Sequence, residues 1–200
     1  MADRASAVRA LSDLVRVAAL VSAVGAFFLF GLDGGVKFTL VFLALAVPRL
    51  VGSIPAPFDL AYCITLLLAT WSATAAWYRA IPWIDWPVHG VTTGSIAAML
   101  YLLMNRFGLF PGLQDRPLSS RPSGILLLTV ALGFAAGAVW ELYEWLANNV
   151  LGASILVSYD DTIADLLMGG CGSLIAGIGL ITWPAHHLRS ERGIGLVTHR

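Results

Sequence analysis

The sequence predicts an all-α protein, a polytopic membrane helix bundle with about six transmembrane helices and both termini in the cytoplasm. Composition is the first reason, since 58% of the residues are hydrophobic, 12% are charged and the mean hydropathy is +0.80. A soluble domain carries about 25% charged residues, so this chain is too apolar to be one. The other two reasons are the lengths of the apolar runs and the uneven distribution of the basic residues.

Several apolar runs are long enough to cross a hydrocarbon layer of about 30 Å. They lie near residues 14–32, 36–52, 58–78, 86–104, 124–147 and 163–184, within a single integral membrane domain that we assign to residues 1–200. The first run follows a basic N-terminus, as in a signal peptide, but no small-residue cleavage site precedes Asp33, so we expect a retained span. Pro48 and Arg49 interrupt the second run. This run is therefore expected to form either a kinked helix or a segment that enters the membrane only part of the way.

The basic residues indicate how the spans are oriented. If successive runs alternate in direction, only Lys37 and Arg79 fall on one side of the membrane. The other basic residues fall on the opposite side: Arg4, Arg9, Arg16, Arg49, Arg106, Arg116, Arg121, Arg189, Arg192 and Arg200. Because basic residues concentrate in cytoplasmic connections, both termini are predicted to be cytoplasmic.

The last three runs contain ionisable residues that a membrane span normally excludes. They form pairs at helical spacing, each on one face of a helix: Asp85 with His89, Glu141 with Glu144, and Asp161 with Asp165. Helices four and six would start outside, and helix five would end there, so all three pairs are expected at the level of the outer leaflet. Such groups cost on the order of 2.5 to 3.5 kcal/mol each at a helix centre, and they usually mark function or an internal pairing.

Aromatic residues are predicted to cluster at the same level: Trp71, Trp77, Tyr78, Trp83, Trp86, Trp140, Tyr143, Trp145 and Tyr159. We interpret them as an aromatic belt at the membrane interface, in preference to a surface that stacks on an aromatic substrate. Below the ionisable pairs, deeper in the membrane, the same helix faces carry small residues: Thr93, Gly133, Gly137, Gly169, Ser173 and Gly177. Such rows allow close helix packing, so helices four, five and six are expected to form one pocket.

Carboxylates that crowd in a low dielectric must be protonated, paired with a cation or bound to a metal ion. An oxygen-rich site with one histidine suits Mg, Mn, Ca or Zn, whereas Cys63 and Cys171 lie too far apart in sequence to suggest thiolate ligation. The predicted metal ligands are Asp85, His89, Glu141, Glu144, Asp161 and Asp165, and the candidate catalytic residues are His89, Glu141 and Glu144. The structural alternative is that these groups hydrogen-bond between helices, with Asp160 or Asp161 capping helix six.

The sequence leaves three functions open. The first is an outer-leaflet site, metal-dependent, that binds or acts on a lipid-linked or cell-envelope substrate by polarising a phosphoryl or acyl oxygen. The second is a proton- or cation-coupled carrier in which the same carboxylates act as a relay. The third is a non-catalytic membrane accessory protein whose polar pairs fix the register of its helices. A formal net charge of zero argues against a nucleic-acid partner.

Three motifs carry a resemblance to a known family. They are Asp85-x-x-x-His89 opening one helix, Glu141-x-x-Glu144-Trp145 ending the next, and Asp161-Thr162-x-x-Asp165 before a Gly-rich run. In this order they resemble the YjdF-like bacterial inner-membrane proteins and, more distantly, the VanZ-like proteins linked with glycopeptide resistance. The resemblance extends from Trp83 to Gly179 and implies a small, multi-pass helical protein of the bacterial cytoplasmic membrane, with no established activity.

Overall fold

A computed structural model of the protein describes residues 2–52, 54–109, 121–152, 155 and 158–195. Within these ranges the chain forms helices and no strand: α1 (Ala2–Val51), α2 (Ala56–Thr74), α3 (Trp77–Ala80), α4 (Asp85–Arg106), α5 (Pro122–Asn149) and α6 (Tyr159–Gly195). A 3₁₀ turn, Pro82–Ile84, joins α3 to α4. The predicted all-α fold class is confirmed. Most of the polar connection between α4 and α5 lies outside the described residues, as does Arg200.

Helix α1 is a hairpin of two antiparallel arms that meet at Gly31. This glycine has φ 71° and ψ −157°, a positive φ that costs glycine little because it has no Cβ. Across the hairpin, Ala26 clusters with Phe38 and Ala19 with Leu45. The first two predicted spans are therefore the two arms of α1, and the second arm is helical through Pro48.

The length and hydropathy of the helices support a membrane protein. Among the described residues, the helices long and apolar enough to cross a membrane are α1, α2, α4, α5 and α6. Because α1 doubles back, these helices supply the six predicted crossings. Large apolar side chains such as Phe28, Leu50 and Ile175 are 81%, 84% and 71% exposed, as expected for a surface covered by the apolar tails of a lipid bilayer.

The bundle has α4 near its centre, in contact with α2, α5 and α6, while α2 links α4 to the α1 hairpin. Helices α4 and α6 touch through glycine: a Cβ on Gly94 would lie 2.5 Å from the carbonyl oxygen of Gly172. A Cβ on Gly169 would lie 3.2 Å from Thr93 Oγ1, and one on Gly133 would overlap Ser173. These contacts confirm that α4, α5 and α6 pack through their rows of small residues.

The ends of two helices differ from what the sequence suggested. The third run was expected to continue to residue 78, but α2 ends at Thr74, and Ala76 has φ 59°. The chain then turns, so Tyr78 belongs to α3. At α6, the structural alternative had Asp160 or Asp161 as the capping residue, but Ser158 has this role, because its Oγ accepts a hydrogen bond from the Asp161 amide at 3.1 Å.

A buried ionic cluster joins the α1 hairpin to the start of α2. Arg16 is 7% exposed and pairs with Asp59, which is also 7% exposed, at 2.5 Å. Arg16 Nε also donates to the Leu45 carbonyl at 2.8 Å. Asp13 Oδ1 lies 3.0 Å from Arg16 Nη1 and 3.2 Å from Arg49 Nε. From sequence alone, Arg16 and Arg49 were interpreted as basic residues on the cytoplasmic side of the membrane. In the structure both form ion pairs that join helical segments.

Candidate functional site

The predicted ionisable pairs lie at the end of the bundle where α4 and α6 begin and α5 ends. This placement follows from helix direction, because α5 runs antiparallel to α4 and α6 and brings its last turns to their first turns. Five of the six predicted ligands come together in two close groups that share one residue. The sixth, Asp161, stands beside them.

The first group consists of Asp85, His89 and Asp165. His89 Nε2 lies 3.3 Å from Asp85 Oδ1, one helical turn earlier in α4, and 3.6 Å from Asp165 Oδ2 in α6. The possible ligand atoms of the three residues all lie within 4.8 Å of one another. Two carboxylates and an imidazole at this spacing form a mixed oxygen and nitrogen ligand set, of the kind that Mn or Zn accepts.

The second group consists of Glu141, Glu144 and Asp165, whose possible ligand atoms also lie within 4.8 Å of one another. Glu141 is 8% exposed, and its Oε2 accepts a hydrogen bond from Thr162 Oγ1 at 2.7 Å. Glu144 has the Trp140 side chain as a polar neighbour. The hydrogen bond from Thr162 holds Glu141 in place, as neighbours of metal ligands commonly do.

Asp165 is the residue that the two groups share. It is 4% exposed, and among the described residues its Oδ1 has no hydrogen-bond partner. A buried polar atom without a partner costs about 1–3 kcal/mol, and more if it is charged. Asp165 Oδ1 is therefore the atom of the site with the strongest requirement for a proton or a cation.

Asp161 belongs to neither close group. It lies on the first turn of α6 and is partly exposed, one turn closer to the end of the bundle than Asp165. It still interacts electrostatically with Asp85 and His89. The structure therefore places Asp161 at the edge of the site, where it adds negative charge.

Tyr78 is a site neighbour that sequence reasoning assigned to the aromatic belt. The turn after α2 brings its ring centroid to 6.4 Å from that of His89, and Ser72 is a hydrogen-bond partner of the phenol. Burial raises the pKa of Tyr78 above its usual value, and the negative charges of Asp85, Glu144 and Asp165 raise it further. The phenol therefore stays protonated, as a neutral O–H group beside the carboxylates.

Trp71 was also assigned to the belt, but it faces the interior, with its ring centroid 4.9 Å from that of Phe38. Its indole donates to Ser22 Oγ at 3.1 Å. Most of the other predicted belt residues are exposed: Trp77, Trp83, Trp86, Trp140, Tyr143, Trp145 and Tyr159. Their exposure agrees with the belt interpretation, since amphipathic rings concentrate at the membrane interface.

A polar cleft of ≈ 410 Å³ opens beside the second group. It lies between the end of α5 and the start of α6 and is lined by Trp145, Asn148, Asn149, Ser158, Tyr159 and Thr162. Thr162 lines the cleft and also donates to Glu141. Thr162 is therefore the side chain that lies between the cleft and the buried Glu141 carboxylate.

Fold and site together define a class, the multi-pass helical membrane proteins that bury carboxylates and a histidine between helices at one end of the bundle. The chain belongs to the DUF2238 family of predicted membrane proteins, whose profile matches residues 8–186. The match covers all of the membrane crossings and both close groups of the site. No curated protein and no solved structure matches the chain. Family membership supports a membrane protein of unknown function, and the YjdF-like and VanZ-like resemblances stay predictions.

Proposed function

We propose that this chain is a multi-pass protein of the bacterial cytoplasmic membrane that holds a divalent metal ion at the level of the outer leaflet. The ion would be Mg, Mn, Ca or Zn, and the protein would use it to bind or act on a lipid-linked or cell-envelope substrate. One observation carries the proposal: Asp165, 4% exposed and lacking a partner for Oδ1 among the described residues, lies between two groups of potential ligands.

A cation accounts for this arrangement better than a purely structural role does. In a purely structural role, each carboxylate oxygen would accept a hydrogen bond from a neighbouring helix, as Glu141 does from Thr162. Asp165 instead has its Oδ2 at 3.6 Å from His89 Nε2, too far for a strong hydrogen bond. A bound ion would give both oxygens a partner and would offset the repulsion among the neighbouring carboxylates.

The proposed roles follow from these positions. Asp165, Glu141 and Glu144 would be metal ligands, and His89 would be either a ligand or the general base that activates water. The metal would polarise a phosphoryl or acyl oxygen of the substrate. Tyr78, which stays protonated, would supply a neutral hydrogen-bond donor close to His89.

The polar cleft supports a substrate that belongs to the membrane. With the proposed orientation, the cleft lies where lipid headgroups lie, and its rim carries the exposed rings of Trp145 and Tyr159. A lipid-linked molecule can keep its tail in the bilayer while its polar head occupies the cleft. Thr162 lines the cleft and donates to Glu141, so the polar head would lie next to the metal ligands.

Metal content of the purified protein tests the proposal. Replacing Asp165→Asn removes the shared ligand and should strongly weaken binding of Mn²⁺, measured by elemental analysis after the metal-free protein is reloaded. The matched control is Asp160→Asn, which removes an exposed carboxylate from the same helix and should bind as the unaltered protein does. If Asp165→Asn keeps the full metal content, the metal site lies elsewhere and the proposal is wrong.

A proton- or cation-coupled carrier is the second candidate, because hydroxyl groups lie between α2 and α4, on the turns of α4 that come after His89. Thr65 Oγ1 and Ser95 Oγ lie 2.6 Å apart, Ser95 Oγ donates to the Thr92 carbonyl at 2.9 Å, and Thr92 Oγ1 donates to the Thr65 carbonyl at 3.3 Å. Proteoliposomes that show proton flux, abolished by Thr65→Val with Ser95→Ala, would favour the carrier. Flux equal to that of protein-free liposomes would exclude it.

A further inference from the structure

We infer that the site holds two divalent ions with Asp165 as the ligand that bridges them. This inference rests on the proposed function, because it assumes that the site binds metal, and it adds a second ion and a role for one residue. Its basis is that the ligands form two groups rather than one. Asp85 and His89 belong to one group, Glu141 and Glu144 to the other, and Asp165 belongs to both.

The two oxygens of Asp165 have different surroundings. Oδ2 lies 3.6 Å from His89 Nε2, on the side of the first group. Oδ1 has no hydrogen-bond partner among the residues that the structure describes, although Asp165 is 4% exposed. Because Asp165 offers a ligand oxygen to both groups, its carboxylate is suited to bridge two ions, which in two-metal sites lie about 3.5–4 Å apart.

Charge also favours two ions. The close groups contain the carboxylates of Asp85, Glu141, Glu144 and Asp165 and one imidazole. Fully ionised, these carboxylates would keep a large negative charge after a single divalent ion had bound, whereas two divalent ions would neutralise it. Buried charges are stable when they are paired or coordinate a metal, so the second ion removes an electrostatic cost that the first ion leaves.

In the second group, Glu141 is held by a hydrogen bond from Thr162, and Glu144 lies beside the Trp140 side chain. Neighbours that fix the orientation of ligands are typical of metal sites. The second group therefore has a defined geometry without help from Asp85 or His89. Each ion would then have two ligands of its own in addition to the shared carboxylate.

Manganese stoichiometry tests the inference on the full-length protein in detergent. The protein is stripped of metal, loaded with Mn²⁺ and examined by elemental analysis and electron paramagnetic resonance. We expect two Mn²⁺ per chain with the exchange coupling that a bridging carboxylate produces. A single Mn²⁺ per chain, or two without coupling, would overturn the inference and leave the proposed function intact, whereas no bound Mn²⁺ would overturn both.

Single substitutions separate the two ions. Asp85→Asn should remove the ion of the first group and Glu144→Gln that of the second, so each variant should bind one uncoupled Mn²⁺. Asp165→Asn should lose the coupling and weaken both ions, and the exposed control Asp160→Asn should keep two coupled ions. Equal loss of both ions in Asp85→Asn and Glu144→Gln would contradict two separate groups. If a variant fails to fold, the number of Mn²⁺ ions bound by the unaltered protein and their exchange coupling still test the inference.

Discussion

Thr162 Oγ1 donates a 2.7 Å hydrogen bond to Glu141 Oε2 and so joins the first turns of α6 to the last turns of α5. Both residues belong to motifs that sequence inspection singled out, the Glu-x-x-Glu-Trp and Asp-Thr segments. The contact explains why a hydroxyl follows Asp161: it orients a buried glutamate and also lines the polar cleft. The site and the cleft are therefore coupled through one side chain.

Replacing Thr162→Val should remove this hydrogen bond while keeping the shape of the side chain. We expect the variant to lose about 1.5–3 kcal/mol of stability, because a buried carboxylate loses a partner. Metal affinity should fall by roughly 10- to 100-fold, as it does when groups that orient metal ligands are removed. Thermal unfolding and Mn²⁺ titration measure the two effects. Thr162→Ser, which keeps the hydroxyl, should behave like the unaltered protein, and equal losses in both variants would refute the role of the hydrogen bond.

Asp165→Asn should stabilise the metal-free protein while it weakens metal binding. Asparagine is close to aspartate in shape but neutral, so it removes a buried charge from among other carboxylates. Functional sites commonly sacrifice stability in this way. We expect the metal-free variant to unfold at a higher temperature than the metal-free unaltered protein, and the order to reverse with saturating Mn²⁺. A variant less stable in both states would show that Asp165 is a structural residue.

Close contact between α4 and α6 should make Gly172 intolerant of substitution. A Cβ at Gly172 would overlap the carbonyl of Gly90, so Gly172→Ala should push the helices apart at a cost of about 1–3 kcal/mol. In the control Gly25→Ala, nothing lies within 4 Å of the added Cβ, and alanine should stabilise the helix by about 0.5–1 kcal/mol. Unfolding in detergent compares the two variants. Similar stabilities would contradict the close packing.

The features predicted correctly from sequence are those that depend on local pattern. Hydropathy located the membrane crossings, and helical spacing placed Asp85 with His89 and Glu141 with Glu144 on common faces. Helix direction then brought these pairs to one end of the bundle. The rows of small residues indicated which faces would touch, as Gly169 against Thr93 and Gly133 against Ser173 show.

The features that sequence missed depend on how helices are rotated and joined. The left-handed turn at Ala76 reverses the chain and brings Tyr78 to His89, although hydropathy alone continued the span through it. Asp161 and Asp165 share a helix face, but α6 begins at Tyr159, so Asp161 lies on the partly exposed first turn and Asp165 is buried one turn further in. The pairing of Arg16 with Asp59 depends on the distance between two helices, which periodicity within one helix does not determine.

The proposed orientation predicts opposite accessibility for two exposed positions. In a variant whose Cys63 and Cys171 are replaced by alanine, Asp33→Cys at the tip of the α1 hairpin should react with a membrane-impermeant maleimide in intact cells. Arg9→Cys should react only after the membrane is disrupted, because the N-terminus is predicted to be cytoplasmic. Labelling of Arg9→Cys alone in intact cells would invert the topology and place the site at the inner leaflet.

The ionic cluster at the opposite end of α2 from the site should be essential for stability. Arg16→Met leaves Asp59, which is 7% exposed, as a buried charge without its main partner. Removing one member of a buried ion pair costs about 3–5 kcal/mol, so we expect this variant to unfold far more readily than the unaltered protein in detergent.

The exposed pair Lys37 and Asp33 provides the matched control, since its atoms approach to 2.6 Å but the side chains are 39% and 73% exposed. Lys37→Met should cost about 0–1 kcal/mol, because water and salt screen surface ion pairs. A double variant, Arg16→Met with Asp59→Leu, should recover much of the lost stability, because it removes both buried charges. If Arg16→Met and Lys37→Met have equal effects, burial does not determine the strength of the Arg16–Asp59 pair.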